Sequence, residues 1–152
     1  MVDIKTAKER SRNMAAIRSK DTKPEIYLRR LLYSRGYRYR KNTSTIPGSP
    51  DLYLLKYHVA IFVNGCFWHR HGDCKYAYTP KSKVTVWSEK FKKNIERDKK
   101  VRIALRAMDI RCITIWECTI KKMKRSELYM NDTLQKINLF LNQNVNYNYM
   151  EI

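Results

Sequence analysis

The chain has 152 residues, 43% of them hydrophobic, which suits a single folded domain with its own core rather than a disordered or multi-domain protein. Its formal charge is +18, from 32 Lys and Arg against 14 acidic residues, and the basic residues run the whole length of the chain. With no apolar run of about 18 residues and no N-terminal apolar stretch, the sequence reads as neither membrane-spanning nor exported, and the partner this charge favours is a nucleic acid.

Residues 1–20 are polar and basic around a small apolar patch of Met14, Ala15, Ala16 and Ile17. They read as a short helix or arm, or as a frayed terminus. The main domain runs from 21 to 142. Asp21 or Thr22 can cap a helix with Pro24 and Glu25 in its first turn. Leu28, Leu31 and Leu32 recur at helical spacing, with Arg29, Arg30 and Arg35 projecting elsewhere. Gly36 ends this helix as a left-handed residue. Glu25 is either a first-turn acid favoured by the helix dipole or an active-site carboxylate.

The alternation Tyr37-Arg38-Tyr39-Arg40 suggests a strand with one wet face. A loop closed by Pro47-Gly48-Ser49-Pro50 follows, then Asp51 and strands over 52–55 and 59–63. These form an antiparallel hairpin that brings Asp51 beside Val63. Beyond the basic run 75–83, a long helix is expected over 86–107, with Phe91, Asn94, Ile95, Asp98, Arg102 and Leu105 facing inward. An inward carboxylate is costly unless paired or metal-linked, so Asp98 is a site candidate or the partner of a nearby base. A buried strand over 110–117 follows, ended by Cys118, then a helix over 132–142 and a loose tail, 143–152. Strands, a helix and a strand make an α/β domain with a mixed central sheet.

The chemistry concentrates in residues 59–74, VAIFVNGCFWHRHGDC. Without an export signal, a reducing compartment is expected, so Cys66, Cys74, Cys112 and Cys118 read as metal ligands or packed thiols rather than disulfides. Cys66, His71 and Cys74 have C-x4-H-x2-C spacing, and Cys118 can close a tetrahedron from the end of a neighbouring strand. That set suits a structural zinc; the alternative is packed thiols beside solvent-facing histidines. Cys112 reads as plain core. His69 is then left free, clamped by the metal two residues away. Asp51 with the Val63 carbonyl could hold magnesium against a phosphate, or Asp51 could be a turn residue. Phe67, Trp68 and Trp87, on a basic surface, are candidate wedges for a base stack, or partly core.

Together the stretches SRNMAAIRSKDTKPE, IPGSPDLY, VAIFVNGCFWHRHGDC, WSEKFKKNIERD and ITIWEC resemble the very short patch repair endonucleases, in order over residues 11–118. The resemblance implies a restriction-endonuclease-like mixed sheet flanked by helices. It implies strand-specific, magnesium-dependent nicking of duplex DNA 5′ of the T in a T·G mismatch left by 5-methylcytosine deamination. It places the magnesium site on Asp51 and the Val63 carbonyl, the catalytic histidine on His69 with Asp98 as acidic helper, and the zinc ligands on Cys66, His71, Cys74 and Cys118. Intercalating aromatics fall on Phe67, Trp68 and Trp87, with Glu25 and Asn94 lining the site and the arm around Met14 and Ile17 gripping DNA from the other groove. It further implies a monomer in the bacterial cytoplasm, at the nucleoid, handing over to a mismatch-repair ATPase and a repair DNA polymerase. Three departures stand out: Asn64 replaces a second histidine, Val63 replaces a threonine, and Gly72-Asp73 lengthen the zinc loop by one residue. Asn64 can position water or phosphate but cannot shuttle a proton, so acid–base work falls to His69.

Overall fold

The computed structural model describes residues 6, 8–9, 20–142 and 147–152. Met14 and Ile17, the arm residues expected to grip DNA, lie outside them. Helix α1 is Lys23–Ser34, with Pro24 in its first turn as expected. It closes at Gly36, φ +92°, where the Gly36 N–H donates to the Tyr33 carbonyl and the Tyr37 N–H to the Leu32 carbonyl.

Strands β1 (Arg40–Lys41), β2 (Leu52–Leu54) and β3 (Val59–Asn64) follow, β1 pairing antiparallel with β2 and β2 antiparallel with β3. β1 is shorter than the aromatic–basic alternation suggests, because only Arg40 and Lys41 find partners on β2. A 3-10 turn, Leu55–Tyr57, joins β2 to β3 and ends at His58, which is left-handed at φ +51°. Helix α2, Val84–Ala107, crosses over to β4, Arg111–Trp116, which pairs parallel to β3. Helices α3 (Glu117–Arg125) and α4 (Glu127–Asn142) follow, and the chain returns as β5, Tyr149–Glu151, parallel to β4. The five-stranded order is β1-β2-β3-β4-β5, a mixed α/β sheet.

Strand periodicity sorts the core into two layers. Leu52, Leu54, Val59, Ile61, Ile113 and Ile115 face one side, covered by Leu28 and Leu32 of α1, Ile120 and Met123 of α3, and Ile137 and Phe140 of α4. Tyr53, Ala60 and Cys112 face the other side with Leu105 and Ile110, and Phe62 and Val101 pack against them. This second layer is thinner, because α2 lies only partly on the sheet. The remaining space between them is the groove described below.

Several expectations are corrected. The tail is not wholly loose: the Cys112 N–H donates to the Asn148 carbonyl, and the Ile152 N–H to the Thr114 carbonyl, so residues 148–152 cover the edge that β4 would otherwise leave open. Helix α3 was not expected; it starts directly from β4, with extended Trp116 as its N-terminal flank. The last helix begins at Glu127, not 132. Ile95 is 37% exposed rather than inward. Arg29, read as projecting outward, is 4% exposed.

Candidate active site and metal centre

An open groove of about 820 Å3 runs between the sheet and α2, lined among others by Glu25, Asp51, Asn64, His69, Asp98 and Arg102. Arg29 ties together three of its lining residues, Glu25, Asn42 and Asp51. Arg29 donates to Asp21 (2.7 Å), to Glu25 (3.3 Å), to Asn42 (3.2 Å) and, through Nε and Nη2, to the Asp51 carbonyl at 3.3 and 3.2 Å. Glu25, 4% exposed, also accepts from the Asp21 N–H and the Thr22 hydroxyl. Glu25 thus satisfies donors at the start of α1, and it also lines the groove. The guanidinium hydrogen bond, joined by that of Asn42, holds Asp21 below its ordinary carboxylate range.

Arg29 neutralises Glu25 and grips the Asp51 backbone, but the Asp51 carboxylate is held differently. Its Oδ2 accepts the Val63 N–H at 2.7 Å, extending the β2–β3 ladder by one rung, so the hairpin does set Asp51 beside Val63. Burial pushes its pKa up to about 7; the Val63 hydrogen bond opposes this, and Glu25 adds to it. A half-desolvated carboxylate of this kind is stabilised in its charged form by an added cation, which fits a hard divalent metal.

His69 Nδ1 lies 2.7 Å from Asp98 Oδ2, with both side chains partly exposed. An ionised carboxylate only accepts, so it fixes the proton on Nδ1 and leaves Nε2 as the acceptor. One turn earlier on α2, Asn94 donates to the Trp68 carbonyl at 3.1 Å. Asn94 thus anchors the loop backbone. Asn64 closes β3 and lines the groove.

The loop between β3 and α2 folds back so that Cys66, His71, Cys74 and Cys118 bring their ligand atoms within 4.8 Å of one another. The two histidines diverge: His71 turns to this cluster, its Nδ1 3.4 Å from the Cys118 sulfur, while His69 turns to Asp98. Left-handed Arg70, φ +53°, sits between them. Burial, helped by the neighbouring thiols, pushes Cys66 up to about 12. Cys74 is desolvated too, yet ends below its ordinary value because the Tyr76 and Ala77 N–H groups and the Cys66 and Cys118 thiols donate to it. Burial also lowers the His71 pKa, favouring the neutral ring a metal needs. Three sulfurs and an imidazole this close can hold a metal ion. Cys112 stands apart, a buried thiol pushed up to about 12, as a core residue would be.

Phe67 is the hub of the aromatic group. Its ring centroid lies 5.3 Å from Trp68, 5.2 Å from Tyr78, 5.4 Å from Trp87 and 5.3 Å from Phe91. Phe67 and Trp68 remain partly exposed. Trp87 does not: at 8% exposure it is a buried support, correcting its reading as a wedge, because the first turns of α2 aim it at the loop. Gly48 was missed. It has φ +79°, and a Cβ there would lie 2.6 Å from Val101 Cγ1 and 3.1 Å from the Phe62 ring, so only glycine lets the loop before Asp51 press against α2. Arg29 was missed as well, although the Glu25–Arg29 spacing of four was a signal for it.

A carboxylate and a carboxylate-oriented imidazole, with Arg70, Arg97 and Arg102 lining the same groove, are groups suited to hydrolysis of a polyanion. The profile of the DNA mismatch endonuclease Vsr family matches residues 2–76. A type II nicking enzyme, V.NmeAIP of Neisseria meningitidis, is 40% identical over 90% of this chain and 97% of its own. The corresponding figures are 37%, 88% and 98% for the type II nicking enzyme V.XorIIP of Xanthomonas oryzae, and 36%, 80% and 77% for the DNA mismatch endonuclease Vsr of Escherichia coli. The chain belongs to the Vsr family and is an endonuclease acting on DNA. Among the described residues no helix is long and apolar enough to cross a membrane.

Proposed function

We propose that this endonuclease nicks one strand of duplex DNA 5′ of the T in a T·G mismatch arising from 5-methylcytosine deamination, and that it requires magnesium. The convergence of Asp51, His69 and Asp98 on one groove beside the partly exposed Phe67–Trp68 pair carries this reading. The +18 surface captures the duplex by counterion release. Phe67 and Trp68, backed by Trp87 and Phe91, wedge beside a wobble pair, where unstacking is easier than at a matched pair. Magnesium held by the Asp51 carboxylate and the Val63 carbonyl would, when bound, polarise the scissile phosphate and neutralise the charge that develops on it. His69 takes a proton from water at Nε2 while Asp98 holds the ring; the water oxygen attacks phosphorus in line, the P–O3′ bond breaks, and the 3′ oxygen takes a proton from solvent, leaving a 3′-hydroxyl and a 5′-phosphate. Zinc on Cys66, His71, Cys74 and Cys118 is structural, since four protein ligands leave no open position. Handover of the nick to a mismatch-repair ATPase and a repair polymerase belongs to the same reading.

A second reading is a restriction-associated nicking enzyme of different specificity, favoured by two relatives that are named type II nicking enzymes. One assay separates the two. Labelled T·G and matched duplexes are incubated with magnesium and the cuts mapped. Cutting confined to the T strand of the mismatch supports the first reading, and equal cutting of both duplexes supports the second. Asp51→Ala that still nicks removes the metal assignment from both.

A further inference from the structure

The C-terminal strand reaches the metal centre by a route that involves no ligand. Glu151 on β5 accepts the Trp116 indole N–H on Oε1 at 2.6 Å. Its other oxygen, Oε2, accepts the Tyr149 hydroxyl at 3.2 Å, which orients the carboxylate from its own strand. The Trp116 backbone is fixed by the same segment, its N–H donating to the Ile152 carbonyl at 3.0 Å. The Trp116 ring then lies flat on the His71 imidazole, with centroids 4.2 Å apart and planes 9° apart. Trp116 is 6% exposed, whereas His71 is only partly buried. His71 has one ring nitrogen against Cys118, and its plane is set by the indole.

We infer that Glu151 is a positioning residue for the Cys66–His71–Cys74–Cys118 centre: through its hydrogen bond to Trp116 it holds the indole that aligns the His71 ring. Outer-shell groups usually orient a ligating histidine by hydrogen bonding to its second nitrogen. Here a stacked ring does so, and a carboxylate 35 residues further along the chain holds that ring. The tail thereby supports, through Trp116, the loop that carries His69.

The inference rests on the reading of the cluster as a zinc site, and the experiment keeps the two apart. Zinc release from the full-length protein is followed with a chromogenic chelator in wild type, Glu151→Gln, Glu151→Leu, Trp116→Phe and the Trp116→Phe/Glu151→Leu double variant. Glu151→Leu is expected to release zinc about tenfold faster, the low end of what loss of an outer-shell partner costs. Glu151→Gln keeps an acceptor oxygen and stays within about threefold of wild type. In the Trp116→Phe background, which lacks the indole N–H but keeps a ring to stack, Glu151→Leu adds no further acceleration. Wild-type release from Glu151→Leu overturns the inference. So does full acceleration in Glu151→Gln, or an undiminished Glu151→Leu effect without the indole. Purified wild-type protein free of zinc would instead remove the metal reading itself.

Discussion

The cysteine–histidine cluster and the groove, which meet at the loop that follows β3, are built on opposite principles. At the metal centre, Cys66, His71, Cys74 and Cys118 turn to one another, so each group is satisfied by its neighbours once a cation sits between them. In the groove, Asp51 and His69 are each held from one side only, Asp51 by the Val63 N–H and His69 by Asp98, and both line open space. The closed cluster can be rigid because it has nothing left to bind. The groove leaves its charged groups facing open space, and it bears the desolvation of Asp51. His69 and His71, two residues apart, fall on opposite sides of this division.

The sharpest break should come at Asp51. Asp51→Asn is expected to lower the nicking rate by about 10³-fold or more, the scale of losing a metal carboxylate. Its thermal midpoint at pH 7, without divalent metal, should stay level or rise. The sign follows from its raised pKa of about 7 against 3.8. The native state holds a proton that the unfolded chain has lost, so this group's stabilising contribution is fully present below pH 4 and falls away as pH rises to about 7. Melting in metal-free buffer between pH 4 and 8 should show that decline in wild type and a flatter line in Asp51→Asn. Magnesium should raise the midpoint more at pH 8 than at pH 6, because the ion competes with that proton.

The cluster should fail in the other manner. Cys66→Ser, or extraction of the metal with a strong chelator, should lower the melting midpoint and the nicking rate together, the rate by about 10²-fold through loss of loop placement. Activity that survives with a collapsed midpoint would show that the loop does not depend on the cluster. Asp98→Asn should cost less than either, with kcat down about 10- to 100-fold and no change in metal content, read from steady-state nicking and metal analysis. The smallest effect is expected at Gly48→Ala. Its new Cβ meets Val101 and Phe62, so urea unfolding should show a loss of about 1–3 kcal/mol with only a modest fall in rate.

How much of this was legible depended on distance along the chain. Cys66, His71 and Cys74 lie within nine residues, and their soft-ligand spacing could be read directly; Cys118 followed from its place at the end of the neighbouring strand. Asp51 met Val63 because an antiparallel hairpin leaves little choice of register. Asp98 was marked by its polarity on an apolar face, and the structure pairs it with His69. What stayed hidden lacked such a mark. Residues 148–152 pair through backbone groups, which any sequence carries, and five residues are too few to show a strand's alternation. Arg29 looks like one of many surface cations until three polar side chains and a carbonyl gather round it. Trp87 was apolar enough for a wedge or a wall, and only the packing of α2 decides for the wall.

Asn94 and Asp98 lie four residues apart on α2 and grip two consecutive residues of the loop, the Trp68 carbonyl and the His69 ring. Successive turns bring those anchor points about 6 Å apart. One attachment would let the loop swivel; two forbid it. Any force on the Trp68 backbone is therefore delivered to the same short length of helix that holds the His69 ring.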